Sequence, residues 1–578
     1  MKNPIIGIHH KLQGVVPVEK RSKAFAFFLV LLGTSIDNLN VTGSITSFFS
    51  IYEYFGATSY TVSWTLSAYS LTLGAFILLA GKVTDMVGAH RVFYIAVSLM
   101  SLFALICAVI TKSIITLIVF RAFQGIAASF LIPSAFAVAG SYFKGKQFMY
   151  ALIALILALT GTFGLGLVLG GVFSATNVGY KGLYYLTFAL GSTVSILLYF
   201  FMVPVERTEE HKKMKMKSLD IYGSAMFVIG LLLIILAFTE SAESWKRPSV
   251  YVPLPLGLLI ILAAFAFELL YISGYQDKIN QKVADDRESA VDVDNLKKDE
   301  TDESSYPADI NMWRYKLQVL FPREALKVPN FVQFIIATPL LYVAMMAVMT
   351  VEVQYWLYVE HDTPLISGLK MFPLSVGFFI GTVTNRENII YKISMKWVLV
   401  VTQALTIGLI VWISYHKFDD SKSYWVYEFV PIVLYGYLTS IYLGVYVNAT
   451  LRRTPVYLQG VVSGLLQTAS QVAICLGTAI VASLLGSVNI AYTYEEKVEL
   501  KKRMGHAFYF TYAVLALAVV VMALLEDRKS VEDDPEEQGE EIKEQPKEIE
   551  DLPATNEDEA TVISNDVTLE QVSLETTH

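Results

Sequence analysis

Two ionisable residues lie inside long apolar runs of the sequence, where a charge is costly. Asp37 stands in the first run and Arg121 in the fourth. Charged side chains at membrane depth usually face a cavity or a partner and mark ion pathways. Because burial disfavours a charged carboxylate, Asp37 could take up and release a proton near neutral pH. The alternative is a structural role, with a neutral acid hydrogen-bonded to Asn38, Asn40 or Thr42.

Arg121 begins a stripe of polar and then small residues along one face of its predicted helix. Gln124, Gly125 and Ala128 follow it at helical spacing, so the four residues share that face. A guanidinium placed there can reach a cavity while the small residues let a neighbouring helix pack closely. We predict that Arg121 acts with Asp37 in proton coupling as its electrostatic partner. The alternative is an interfacial arginine that snorkels to the headgroups.

A polar segment of unusual composition joins the second and third apolar runs. It contains Gly81, Asp85, Gly88 and Arg91. Glycines permit close helix approach and unusual backbone angles, and an acid can cap or pair at a helix end. We predict that these four residues form a conformational hinge in a polar turn between two membrane helices.

The fifth apolar run is rich in glycine, including Gly166, Gly170 and Gly171. These glycines, like Gln124 and Gly125 of the fourth run, are predicted to serve helix packing. We expect the fifth run to pack tightly or bend at the interface between two halves of the protein.

Several polar and aromatic residues could line a substrate cavity. The candidates are Asn38, Trp64, Tyr69, Tyr342 and Glu352. Trp64 could instead be an interfacial anchor, and Glu352 lies so near the end of its run that it could be solvated. The other aromatic side chains could equally face lipid.

Composition places the chain among membrane proteins. Of its 578 residues, 54% are hydrophobic and only 17% are charged, whereas soluble proteins have about 25% charged residues. Both cysteines, Cys107 and Cys475, lie inside apolar runs, so we predict neither a disulfide framework nor a metal site. No basic patch interleaved with aromatics indicates nucleic-acid binding. No span or loop gathers a nucleophile, a base and oxyanion donors, so an enzyme is not expected, and no cofactor is predicted.

Apolar stretches of about 20 residues predict an all-α polytopic membrane protein with fourteen transmembrane helices, arranged as six, two and six. The predicted spans are 24–50, 61–81, 92–110, 114–140, 148–172, 183–203, 219–239, 251–272, 329–352, 365–383, 397–415, 426–448, 459–486 and 506–525. The predicted domains are a cytosolic N-terminal segment (1–23), a six-helix bundle (24–203), two linker helices (219–272), a cytosolic acidic insert (273–328), a second six-helix bundle (329–526) and a disordered acidic tail (527–578).

The distribution of charge predicts the orientation. Basic residues precede the first span and lie between spans 2 and 3, 4 and 5, 6 and 7, and 12 and 13, the last being Arg452 and Arg453. This distribution places both termini in the cytosol. From Val531 onward, 17 acidic and two basic residues give a net charge of −15. This tail, and the acidic stretch from Gln276 to Ser305, are predicted to be disordered. The segment that begins at Trp313 is predicted to be a short amphipathic element at the interface.

Three of these patterns carry a resemblance to a known family. The Gly81 to Arg91 segment resembles the loop signature G-x-x-x-D-x-x-G-x-x-R of the major facilitator superfamily. Arg121 and its neighbours resemble the R-x-x-Q-G signature of proton-coupled facilitators. Trp64 and Tyr69 match a W-x-x-x-A-Y stretch of fourteen-span antiporters. The chain therefore resembles the fourteen-span drug:proton antiporter family, and within it the fungal aminotriazole-resistance-like group.

One motif departs from the family pattern. The antiporter signature G-x-x-x-G-P-x-x-G-G matches at Gly166, Gly170 and Gly171, but Leu167 replaces its proline and Thr162 its first glycine. The missing proline removes a helix kink, which weakens the prediction of drug antiport and leaves the fold unaffected.

The resemblance implies the major facilitator fold, with two six-helix bundles that rock about a central site and two extra helices between them. It also implies export of a small organic or weakly charged solute in exchange for protons, from a protein that is a monomer in the lipid bilayer. A low-affinity carrier of a small ion such as ammonium or borate is one alternative, and a transport-inactive receptor or scaffold is another. The plasma membrane is favoured over the vacuolar membrane.

Overall fold

The computed structural model describes residues 16–110, 112–205, 220–290, 312–317, 319, 323–384, 394–418, 422–454, 459–486 and 491–526. Within these ranges the chain is helical and contains no strand, which confirms the all-α prediction. Thirteen helical stretches are long and apolar enough to cross a bilayer, and the bent helix Ser59–Val87 would bring the number to 14. The predicted fold class is therefore confirmed.

The helices follow the apolar runs closely. In chain order they are α1 (Lys23–Thr46), α2 (Phe48–Phe55), α3 (Ser59–Val87), α4 (Ala89–Val109), α5 (Ile114–Ser129), α6 (Leu131–Tyr142), α7 (Lys146–Ser174), α8 (Lys181–Phe201), α9 (Ile221–Ser241), α10 (Pro248–Tyr251), α11 (Pro253–Ala266), α12 (Ser273–Ala290), α13 (Met312–Lys316), α14 (Arg323–Lys327), α15 (Phe331–Tyr358), α16 (Pro364–Thr384), α17 (Met395–Ser414), α18 (Val430–Arg452), α19 (Gln459–Leu485) and α20 (Tyr494–Ala523). Two π-helical segments, Phe267–Ile272 and Tyr424–Phe429, precede α12 and α18.

The buried apolar side chains form two main clusters. One is built largely from α1 and α3 to α8, and the other largely from α15 to α20. Phe163 and Leu167 of α7 belong to the second cluster, so α7 extends from the first group of helices into the core of the second.

The predicted polar turn between the second and third spans is much shorter than expected. Gly81 and Asp85 lie within α3, which continues to Val87, and α4 begins at Ala89. Gly88 is the one residue between the two helices. Its φ of 104° is a conformation that glycine adopts readily and that is strained for other residues. A second change of direction lies earlier, within α3, where residues 61–77 and 79–87 meet at 55°.

The predicted disorder of the acidic insert is wrong for its first part. Helix α12 continues from the eighth span to Ala290, and the amide of Gln276 donates to the backbone oxygens of Arg314 and Leu317, at 3.2 and 2.8 Å. The predicted short element is present as α13, which is held against α12 by these bonds. Residues 291–311, 318 and 320–322 of the insert and the tail 527–578 lie outside the described residues.

The glycines of α7 allow close approach to two helices. A Cβ at Gly166 would meet the backbone of Leu39 and the hydroxyl of Thr42 in α1. A Cβ at Gly171 would meet the backbone of Pro364 and Leu365 in α16. Helix α7 therefore packs closely against α1 of the first group and α16 of the second.

Gly166→Ala is expected to destabilise the protein, because the added methyl group has backbone atoms in its way and overpacking costs about 1–3 kcal/mol. The melting midpoint of the purified protein should fall by several degrees. Gly161→Ala is the matched control on the same helix, since its Cβ would meet no atom within 4 Å. Equal melting midpoints for the two variants would contradict this packing.

Candidate functional site

Asp37 is buried in α1, with only 1% of its surface exposed. The hydroxyl of Tyr69, on α3, donates a hydrogen bond to the Asp37 carboxylate. Asp37 is therefore held by a neutral donor from a second helix.

Arg121 is also buried, at 1% exposure. Its Nε donates to the backbone oxygen of Thr65 at 2.9 Å, and its Nη1 donates to Gln124 at 2.9 Å and to the side-chain oxygen of Asn40. The guanidinium thereby links α5 to both α3 and α1. The predicted interfacial alternative is not supported, because the charged group is engaged inside the helix bundle.

Tyr69 connects the two ionisable residues. Its hydroxyl bonds Asp37, and its ring lies 4.3 Å from the guanidinium carbon of Arg121. A cation over an aromatic face is attracted by the electron density of the ring. Asp37 and Arg121 form no direct ion pair in the described part of the chain, and each of them contacts Tyr69.

The neighbouring amides have other partners. Asn38 donates to the backbone oxygen of Leu159 on α7 at 2.8 Å, and Asn40 donates to Thr187 on α8 at 3.1 Å. Thr42 donates to the backbone of its own helix at 2.9 Å. The three side chains considered as structural partners of Asp37 therefore bond elsewhere.

Gly125 lets α5 approach α3 at this level. A Cβ there would meet the backbone oxygen of Tyr69 and the hydroxyl of Thr72, and Thr72 bonds the backbone of Ala122 at 2.8 Å. Because α5 and α3 are in close contact at Gly125 and Tyr69, Arg121 of α5 can reach the backbone oxygen of Thr65, one turn before Tyr69 on α3. Gln124 and Gly125 were both predicted to serve helix packing; Gly125 lies at this close approach, and the Gln124 side chain accepts a hydrogen bond from Arg121.

The other cavity candidates lie on α3 and α15. Trp64 and Tyr342 are half-buried, and the hydrogen bond to the Asp37 side chain comes from Tyr69. Glu352 is completely buried in α15, so it is not the solvated residue that its position near the end of the run suggested. Its neighbours are His416 and Glu428, which the sequence reasoning did not single out.

This second cluster lies in the group of helices α15 to α20. His416 Nδ1 lies 3.6 Å from Glu352 Oε1, and Trp356 Nε1 donates to Glu428 Oε2 at 2.6 Å. Burial, aided by the nearby charge of Lys501, lowers the pKa of His416 to about 3, so its imidazole is neutral. The sequence signal for Glu428 was present, because it is an acid inside the twelfth apolar run.

Comparison with known proteins identifies relatives. The Major Facilitator Superfamily model matches residues 24–478. The multidrug transporter mdr3 of Aspergillus fumigatus is 30% identical over 225 residues, which cover 38% of this chain and 42% of that protein. In Saccharomyces cerevisiae, the aminotriazole resistance protein is 22% identical (42% of this chain, 45% of that protein) and the low affinity ammonium transporter is 29% identical (41% and 45%). These matches span less than half of each relative.

Solved structures agree on the fold. The human organic anion transporter MFSD10 superposes with a TM-score of 0.54 at 11% identity, covering 87% of this chain and 99% of that one. A bacterial homologue of the lysosomal transporter Spinster, in an inward-facing conformation, gives a TM-score of 0.54 at 13% identity, covering 88% and 99%. At such low identity these matches concern the fold alone.

Proposed function

Because the chain belongs to the Major Facilitator Superfamily, we propose that it exports a small organic or weakly charged solute across a membrane in exchange for protons. The observation that carries the proposal is the buried contact of Asp37 with Tyr69, beside the guanidinium of Arg121. An acid, a hydroxyl donor and a fixed cation meet there inside the helix bundle.

The geometry suggests how a proton would be coupled to movement. A charged Asp37 accepts the hydroxyl of Tyr69 and so holds α3 against α1. When Asp37 is protonated, its attraction to the Tyr69 hydroxyl and to the guanidinium of Arg121 weakens. Since Arg121 bonds α1, α3 and α5 together, a change at Asp37 alters the stability of one helix arrangement relative to another.

The names of the relatives indicate two classes of solute, organic compounds and a small ion. Efflux and multidrug transport occur in the names of two Aspergillus relatives, while another relative is named for ammonium. Carriage of a small ion without proton exchange is the second candidate, favoured by Leu167, which occupies the proline position of the antiporter signature inside the continuous helix α7.

The test is transport of a solute panel into sealed vesicles with and without an imposed pH gradient. The panel comprises aminotriazole, ammonium and borate. Export coupled to protons predicts accumulation of one solute only when the gradient is present. Equal rates with and without the gradient would support the carrier of a small ion, and no transport of any solute would support the receptor alternative.

We propose that both termini face the cytosol, in the plasma membrane, and that the protein works as a monomer. Both native cysteines are buried, so introduced cysteines can be labelled against a low background. Asn177→Cys, between α7 and α8, should react with an impermeant maleimide in intact cells. Lys144→Cys, between α6 and α7, should react only after permeabilisation. The reverse pattern would contradict the orientation.

We propose that Gly81, Asp85, Gly88 and Arg91 form the conformational hinge. Asp85 lies in the last turns of α3, beyond the 55° bend. Asp85→Asn should keep normal abundance and reduce turnover several-fold, because the loss of charge changes how the helix ends are held in one access state. Glu495→Gln, an exposed acid of α20, is the control. Unchanged turnover would show that the hinge does not depend on this carboxylate.

A further inference from the structure

The cluster of Glu352, His416 and Glu428 has no part in the proposed proton exchange. Glu352 lies near the end of α15, His416 follows α17, and Glu428 lies in the π-helical segment before α18. All three are buried, with at most 1% of their surface exposed. One ligand atom from each residue lies within 4.8 Å of the others.

Several polar atoms of the cluster have no hydrogen-bond partner. They are both carboxylate oxygens of Glu352, Oε1 of Glu428 and Nδ1 of His416. Buried polar atoms are nearly always satisfied, because an unpaired one costs about 1–3 kcal/mol. Unpartnered atoms on three different segments, with one ligand atom from each residue within 4.8 Å of the others, indicate that the cluster binds something that accepts electron pairs.

The donor set fits a transition metal. Two carboxylates and one imidazole are ligands that zinc uses, with bonds of about 2.0–2.2 Å. In a tetrahedron with such bonds, neighbouring ligand atoms lie roughly 3.3–3.6 Å apart, and His416 Nδ1 lies 3.6 Å from Glu352 Oε1. A divalent ion would also balance the two carboxylates, which makes their burial less costly.

The surroundings hold the ligands in position. Trp356 bonds Oε2 of Glu428 and leaves Oε1 available. The ring of Tyr355 stacks on His416 at 3.8 Å, and the ammonium of Lys501 donates to the backbone oxygen of His416. A hydrogen bond to a ligand side chain, such as that from Trp356 to Glu428, orients the ligand and raises metal affinity.

Two other acids at this end are already paired with a cation. Lys370 forms ion pairs with Glu360 and Asp362 at 2.5 and 2.6 Å. Glu360 and Asp362 are therefore engaged with a cation, whereas Glu352 and Glu428 face each other and His416.

We propose that Glu352, His416 and Glu428 form a binding site for a divalent transition-metal ion of the zinc class. The ion would tie α15, the segment after α17 and the start of α18 into one unit, and so stabilise one end of this group of helices. The sequence-based expectation of no metal site considered the cysteines, which are not among these ligands.

The test is a Co²⁺ titration of the full-length, tag-free protein after treatment with a chelator, followed by displacement with Zn²⁺. We expect one equivalent of Co²⁺ per chain, with the visible absorption of a tetrahedral site, and a higher melting midpoint in Zn²⁺. Binding requires no transport, so the outcome is independent of the proposed function. Absence of a stoichiometric Co²⁺ signal from the wild-type protein would overturn the proposal.

Variants assign the ligands. Glu428→Gln keeps an oxygen acceptor for Trp356 and removes the charge, so Co²⁺ affinity should fall at least about tenfold. His416→Gln should have the same effect. Glu360→Gln, a neighbouring acid outside the cluster, should bind Co²⁺ as the wild type does. Wild-type affinity in both ligand variants would place the metal elsewhere and contradict the site.

Discussion

Asp37→Asn is expected to reduce pH-driven transport to the level of vesicles without the protein. Asparagine has the size of aspartate and retains an oxygen that can accept a hydrogen bond from the Tyr69 hydroxyl. The hydrogen bond between α1 and α3 should therefore survive. It cannot bind or release a proton in the working range, so the link between the gradient and the solute is lost. Exchange of labelled for unlabelled solute, which needs no net proton movement, should partly remain.

The measurement is accumulation driven by a pH gradient, compared with exchange at equal pH, in the same vesicles. Glu53→Gln is the control, because it removes an exposed acid from α2 and should transport normally. If Asp37→Asn accumulates solute as well as the wild type, the proton site lies elsewhere, and Glu352 becomes the next candidate.

Arg121→Lys is expected to impair coupling by about tenfold or more while leaving abundance near normal. The guanidinium bonds Thr65 through Nε and both Gln124 and Asn40 through Nη1. An ammonium keeps the charge but lacks the planar fork that reaches these acceptors together. Hydrogen bonds to a charged group contribute about 1.5–3 kcal/mol, and 1.4 kcal/mol corresponds to about a factor of ten.

The measurement is the ratio of gradient-driven accumulation to exchange, with surface abundance recorded in parallel. Arg503→Lys is the matched control, because that arginine is exposed and pairs with Glu499 within its own helix. An unchanged ratio for Arg121→Lys would show that only the charge of Arg121 matters, and that its three bonds do not serve coupling.

The membrane helices could be predicted from sequence because the bilayer requires about 20 apolar residues in succession. The start of α1 was predicted at residue 24 and lies at Lys23, and α16 was predicted over 365–383 and spans Pro364–Thr384. Asp37 and Arg121 stood out for the same reason, since a charge inside an apolar run is rare. Their joint contact with Tyr69 could not be predicted, because it depends on how α1, α3 and α5 are rotated against one another.

The errors arose where composition and local structure disagree. Residues 276–290 are polar and were predicted to be disordered, but they extend a helix that is already formed, and extension costs far less than nucleation. Gly81 and Asp85 were assigned to a turn on residue type, whereas the helix continues to Val87. His416 cannot be singled out from the sequence because its segment lies between apolar runs, and only the fold brings it to Glu352.

The central claim is that solute movement carries protons through Asp37, and proton flux in vesicles tests it most directly. Proteoliposomes that enclose a pH-sensitive dye and have no imposed pH gradient are given an outward gradient of whichever panel solute the protein transports. The account predicts that the lumen becomes more acidic as solute leaves and protons enter, and that Asp37→Asn shows no pH change while still exchanging labelled solute. Solute efflux without any pH change in the wild-type protein would contradict it.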